Sequence, residues 1–199
     1  MKSPSLRQVS AIVIGASAGG VEALGVLLPA LSAQTRAAVL VVVHMPRRRP
    51  SLLKDLFVSR CALAVREAQD KQPVEPRTIS FAPPDYHLLV EPNEDGTFSH
   101  ALSVDEPVHF SRPSIDVLFE SAAECWGERL MGVILTGANS DGVQGMEAVS
   151  RAGGITVVQD PAEALADTLP AAAVRSGVAQ HVLPLAGIAA LLAQAGVAP

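Results

Sequence analysis

Three residues combine chemical type with position in a way that could perform acyl transfer: Ser17 in GASAGG, His44 closing VLVVVHM, and Asp141 in GVILTGANSDG. Gly15-Ala16-Ser17-Ala18-Gly19 satisfies G-x-S-x-G, the strand-to-helix elbow that exposes a nucleophilic hydroxyl. Serine, histidine and aspartate supply a nucleophile, a base that takes and returns its proton, and a carboxylate that fixes the tautomer of the base. Each also has an ordinary structural reading. Ser17 could cap the following helix, His44 could be a core imidazole, and Asp141 could be an N-cap, since Gly142 and Gln144 open a helix-like run. The chemical reading requires the three to share one edge of a sheet, and the chain order Ser, His, Asp differs from that of an α/β-hydrolase.

The same glycines allow a second interpretation, which the sequence argues against. Gly15 and Gly20 fit the outer glycines of G-x-G-x-x-G, but Ser17 places a side chain where a dinucleotide pyrophosphate needs bare backbone. The next strand ends in His44 rather than the acid that would hold a ribose. Of the other histidines, His87 in PPDYHLLV could line the site or sit on a strand, and none has metal-ligand spacing. Cys61 and Cys125 stand alone, which predicts core thiols in a reducing, cytoplasmic setting.

The elements that would position these residues follow a βα rhythm. SAIVIG, AAVLVVVHM, RLMGVILTG and GITVVQ read as strands, apolar throughout and therefore covered on both faces. GGVEALGVLLPALSA, PSLLKDLFVSR, PSIDVLFESAAECWG, VQGMEAVSRAGG and LPLAGIAALLAQAG read as helices, with Leu185, Ile188, Ala189 and Leu192 forming one apolar stripe in the last. Between about Val74 and Leu102, TISFAP, YHLLVEP and TFSHALS are short and separated by turn residues, which predicts an antiparallel hairpin excursion. The expected fold is α/β: a doubly wound, mainly parallel sheet with helices on both faces, forming a single domain over residues 1–199.

Composition narrows the partners. A formal charge of −5 and a pI near 5.5 disfavour nucleic-acid binding, which needs a basic face. The N-terminal MKSPSLRQVS lacks an apolar signal core, and no run is long enough to insert in a membrane. MPRRRP places Arg47, Arg48 and Arg49 directly after His44, where they could steer an acidic partner or form a solvated loop.

On these motifs the chain resembles the catalytic domain of the chemotaxis protein-glutamate methylesterase (CheB) family. GASAGG, HMP, EAQDKQPVEP, APPDYHLLV, RPSIDVLFESAA, ILTGANSDGVQGM and AGGITVVQD carry the resemblance in order along nearly the whole sequence. It implies hydrolysis of glutamyl methyl esters, and deamidation of glutamines, on the cytoplasmic helices of chemoreceptors. It implies Ser17 as nucleophile, His44 as general base and acid, Asp141 as its orienting partner, and the N–H groups of Ala18 and Ala138 as an oxyanion hole. Arg47, Arg48, Arg49, His87 and Asn139 are candidate substrate contacts, and no metal or cofactor is implied. Three departures from the family pattern stand out: no receiver domain is expected ahead of the first strand, Thr136-Gly137-Ala138-Asn139 replaces TGMG, and Thr168-Leu169-Pro170 replaces Gly-Met-Pro. An alternative compatible with those loops is a domain that has lost turnover and serves as a binding module in a signalling complex.

Overall fold

The structure, a computed structural model, describes residues 5–45 and 51–197. The strands are β1 (Ala11–Ala16), β2 (Ala38–Val43), β3 (Ala64–Glu67), β4 (Thr78–Phe81), β5 (His87–Pro92), β6 (Phe98–Ser103), β7 (Leu130–Ile134), β8 (Ile155–Gln159) and β9 (His181–Leu183). The helices are α1 (Gly20–Leu27), α2 (Leu53–Phe57), α3 (Ile115–Trp126), α4 (Val143–Arg151), α5 (Thr168–Arg175) and α6 (Leu185–Leu192). Among the described residues, seven strands form one sheet in the order β3-β4-β2-β1-β7-β8-β9, parallel at every pairing.

The central strands are buried at every position because helices cover both faces. Along β1 the side chains alternate between two cores. Ile12, Ile14 and Ala16 meet Leu24 and Leu27 of α1, Phe57 of α2 and Ile188 and Leu192 of α6. Ala11 and Val13 face the opposite core, with Leu118 and Phe119 of α3, Met146 and Val149 of α4, and Leu169 of α5. Each such aliphatic side chain contributes about 1.5–3 kcal/mol by leaving water, which offsets the entropy of ordering the chain.

The hairpin excursion is smaller than the sequence suggests. Only β5 and β6 form the antiparallel ribbon, which lies on α3 and is tied to it by the Val90 N–H donating to Ser121 Oγ at 3.2 Å. Thr78–Phe81 instead joins the main sheet between β3 and β2, parallel to both and buried at all positions, with Ile79 and Phe81 in the core and the Phe81 ring stacked on Phe57 of α2. Strands β3 and β9 and helix α5 have no clear sequence signal. Strand β3 carries Arg66 and Glu67 at the sheet edge, and β9 is largely exposed. Helix α5 tolerates Pro170 because the residue lies in its first turn, where no N–H is needed. No described helix is long and apolar enough to cross a membrane.

Parallel strands align their carboxyl ends, so the loops after β1, β2 and β7 converge on one rim. A cavity of about 490 Å³ opens at the opposite, amino edge, lined by Arg7, Arg36 and Trp126 among others, but it holds no nucleophile paired with a base. The chemistry-bearing residues lie at the carboxyl edge.

Candidate active site

Ser17 is the first residue after β1, and its N–H donates to the Thr136 carbonyl at 2.9 Å, which locks the elbow to the loop after β7. Helix α1 is capped by Gly19 with no side-chain hydrogen bond, so Ser17 is not a helix cap. Gly19 sits at φ 78°, and a Cβ there would lie 2.7 Å from the Leu165 Cβ; any side chain would open the turn. His44 follows β2, its N–H bonded to the Ala16 carbonyl at 3.0 Å. Its Nε2 lies 2.7 Å from Asp141 Oδ2, and the imidazole is 12% exposed while Asp141 is fully buried. Ser17 and His44 line one cavity of about 340 Å³ together with Met45, Phe110, Ser111, Arg112, Pro113 and Asn139. Among the described residues no hydrogen bond joins Ser17 to His44, a contact that commonly tightens only when substrate is seated.

Asp141 is an acceptor with every site filled. Oδ2 receives His44 Nε2 and the Ile115 N–H at 2.8 Å, and Oδ1 receives Ser114 Oγ at 2.7 Å and the Asp116 N–H at 3.1 Å. Burial alone would raise this carboxyl, but the bonds from His44, Ser114 and Ile115 outweigh it and hold it below the ordinary carboxylate range. Because Asp141 accepts at Oδ2, His44 Nε2 carries the proton and the Nδ1 lone pair remains available to a hydroxyl.

Asp141 does not cap its own helix. Gly142 is the N-cap of α4, while the Asp141 carboxylate receives the first N–H groups of α3. Asp116 of α3 returns the arrangement, its Oδ1 accepting from Gly142 at 2.9 Å and Gly145 at 2.7 Å at the start of α4. Each helix N-terminus is thus held by a carboxylate from the other, favourable to both helix dipoles, and the clasp fixes Asp141 against the imidazole. Its cost falls on Asp116. That carboxyl is pushed up to about 6 by burial and by the Asp141 charge, against the Gly145 and Gly142 N–H groups, and its Oδ2 has no hydrogen-bond partner among the described residues, with His109 Nε2 3.6 Å away.

A carboxyl raised in the folded state stabilises the fold while protonated, and this contribution is lost as pH rises from its unfolded value toward 6. Asp116→Asn keeps the Oδ1 acceptor and cannot ionise. The variant is therefore expected to gain on the wild type by on the order of 1–2 kcal/mol between pH 4 and 7, read from urea midpoints. A difference independent of pH would show that the Asp116 charge is not strained.

The peptide N–H groups of Ala18 and Ala138, both exposed residues in the loops that meet at Ser17, have no hydrogen-bond acceptor among the described residues, and neither do those of their neighbours Gly19 and Asn139. Thr136 sets both loops. Its Oγ1 lies 2.8 Å from the Ala18 carbonyl and accepts the Ala166 N–H at 2.8 Å, while its own N–H donates to Gln159 Oε1 at 2.8 Å. Thr136→Val preserves shape but leaves the Ala18 carbonyl and Ala166 N–H without this partner. It is expected to lower kcat about tenfold or more with little change in KM. An equal fall in activity toward all substrates traced to lost folding, seen by thermal melting, would refute the positioning role.

The other residues singled out by sequence divide. Asn139 lines the cavity, its Nδ2 donating to Ser111 Oγ at 3.2 Å. His87 does not reach it. It is 2% exposed, accepts the Ser114 N–H at Nδ1 and donates from Nε2 to the Glu106 carbonyl, so it supports the α3 N-terminus instead of contacting substrate. The ribbon strand carries it inward, a direction no local pattern reveals. Arg47, Arg48 and Arg49 lie outside the described residues. Leu169, in the departure from Gly-Met-Pro, is buried and its N–H bonds the Gly137 carbonyl at 2.9 Å. The sequence assigns no role to Ser114 and Asp116, whose Ser-x-Asp spacing in PSID reads only as a helix start, and Thr136 enters it only as part of the loop that replaces TGMG. Among the described residues no group of three His, Cys, Asp or Glu side chains could hold a metal ion.

Comparison with known proteins gives one answer at three levels. The family described as CheB methylesterase matches residues 12–192. A chain from Leptospira interrogans is 44% identical over 181 residues, 91% of this chain and 92% of that one. The protein-glutamate methylesterase/protein-glutamine glutaminase of Symbiobacterium thermophilum is 40% identical over 184 residues, 92% of this chain but 50% of its own length. The crystal structure of the Thermotoga maritima CheB methylesterase catalytic domain superposes with a TM-score of 0.90 at 31% identity, covering 94% of this chain and 98% of that one. The parallel sheet, its two helical layers and the small antiparallel ribbon are the architecture of that domain, and the chain belongs to the CheB methylesterase family.

Proposed function

We propose that the protein is a cytoplasmic serine esterase that hydrolyses glutamyl methyl esters, and deamidates glutamines, on chemoreceptor-type proteins through Ser17, His44 and Asp141. The observation that carries this reading is the 2.7 Å bond from His44 to the buried Asp141, with Ser17 in the same cavity. Ser17 Oγ attacks the ester carbonyl while His44 Nδ1 takes its proton, and Asp141 stabilises the imidazolium without becoming protonated. The oxyanion that forms is met by the Ala18 and Ala138 N–H groups, one such donor being worth on the order of 10²–10³ in rate. Collapse breaks the C–O bond, and His44 returns the proton to the departing methoxide, releasing methanol. Water, deprotonated by His44, then attacks the acyl-serine; Ser17 recovers its proton and the product is a glutamate carboxylate.

Replacement of the family's methionine by Ala138 leaves this chemistry intact, since the hole uses the peptide N–H and not the side chain. That favours turnover over a domain that only docks. The test is to incubate the protein with methylated receptor and measure methanol. Release proportional to enzyme is expected, whereas receptor binding without methanol would establish the docking reading.

A further inference from the structure

The two most exposed large apolar side chains among the described residues are Phe110, 97% exposed, and Leu165, 79% exposed. Both stand on loops against the Ser17 elbow. Phe110 lines the Ser17–His44 cavity, and Leu165 packs on Gly19, two residues beyond the serine. Isolated exposed apolar residues are ordinary, but large ones concentrated beside a reactive group mark a contact surface.

Neither side chain is on a loose segment. Val108 and Ser111 exchange backbone hydrogen bonds of 2.8 and 3.1 Å around a two-residue turn, with His109 at φ 48° and Phe110 at φ 62°. Two successive non-glycine residues in the left-handed region are strained, and such strain persists where the surroundings impose it. Arg112 imposes it here, donating from Nε and Nη2 to Asp85 and from Nη1 to the Val104 and Asp105 carbonyls, while Asn139 grips Ser111. The Leu165 loop is held at the next residue, where Ala166 accepts from the Gly137 N–H at 2.9 Å and donates to Thr136 Oγ1. The fold therefore presents two apolar groups rigidly to solvent on the loops that build the reactive centre.

We infer that Phe110 and Leu165 are specificity-determining residues that grip apolar side chains flanking the scissile glutamyl group of a polypeptide substrate. The inference rests on the esterase reading, because a substrate whose reacting group enters the Ser17 cavity must lay its neighbouring residues across this rim. The other occupant the surface could take is a second copy of this chain.

The test uses the non-hydrolysing Ser17→Ala protein and two fluorescent peptides carrying one γ-methyl glutamyl residue, flanked by leucines in one and by serines in the other. Anisotropy is expected to show the leucine peptide binding about tenfold more tightly, a preference erased by adding Phe110→Ser and Leu165→Ser and retained with Phe110→Leu. Melting temperatures are read on every variant, so that lost affinity in a folded protein is separated from lost folding. Equal binding of the two peptides, or a preference that survives the double substitution, overturns the inference, as does a dimer in light scattering that the double substitution dissociates without changing peptide affinity. Turnover of the leucine peptide by the protein with Ser17 intact is read separately, so loss of the esterase reading and loss of this one are distinguishable.

Discussion

Ser17→Ala is expected to reduce hydrolysis of a glutamyl methyl ester by on the order of 10⁵–10⁶, the scale on which removal of a serine nucleophile acts in this type of centre. The side chain makes no hydrogen bond to α1 and is only partly buried, so the melting temperature should stay within about a degree or two of wild type. The loss should fall on kcat, because the hydroxyl forms a bond in the transition state that it does not form with bound ester. Residual activity of tens of per cent in a purified variant, measured as methanol release, would mean that another group attacks the carbonyl.

Asp141→Asn should cost both rate and stability. An asparagine cannot accept four donors: with its NH₂ at the Oδ2 position it opposes His44 Nε2–H and the Ile115 N–H, and at the Oδ1 position it opposes the Asp116 N–H and must turn the Ser114 hydroxyl. In the first orientation the imidazole can restore a bond only by moving its proton to Nδ1, which removes the lone pair that Ser17 needs. A loss of about 10⁴ in kcat follows from the wrong tautomer. The orphaned donor at a helix terminus adds about 1–3 kcal/mol of destabilisation. The wild-type carboxyl, lowered in the fold, contributes stability above the unfolded carboxylate value that disappears as pH falls through its depressed folded value. The stability gap between wild type and Asp141→Asn should therefore close in acid, read as urea midpoints against pH. A gap that stayed constant to low pH would show that the native carboxylate is not held by those donors.

How much of this was legible in the sequence depends on whether a feature is local. Strands β1, β2, β7 and β8 are long apolar runs, and burial on both faces leaves them no other compact arrangement, so the parallel sheet and its reactive edge could be read directly. Ser17 and His44 directly follow two of those runs and Asp141 lies in the loop after a third, which makes all three legible as residues at strand ends. Strand β4 is not legible in the same way, because a four-residue run in a proline-rich stretch looks the same whether it pairs with β2 or with the ribbon. The role of Asp116 was hidden for a different reason. Its partners are the N–H groups of Gly142 and Gly145, on a helix 26 or more residues away, and the sequence around it describes only a helix start. Of the two readings open to His87, lining the site or sitting on a strand, the structure takes the second: the ribbon folds over α3 and buries it, a choice no local pattern decides.

The central claim is that a hydroxyl at residue 17 is made nucleophilic by an imidazole at residue 44. The most direct measurement is mass mapping of the peptides after treatment with a serine-directed fluorophosphonate, done on wild type and on His44→Ala. The account predicts a single adduct on Ser17 in the wild type, slowed by about 10³-fold or more without the imidazole. An adduct on a different serine, or Ser17 modified equally fast in both proteins, would contradict it.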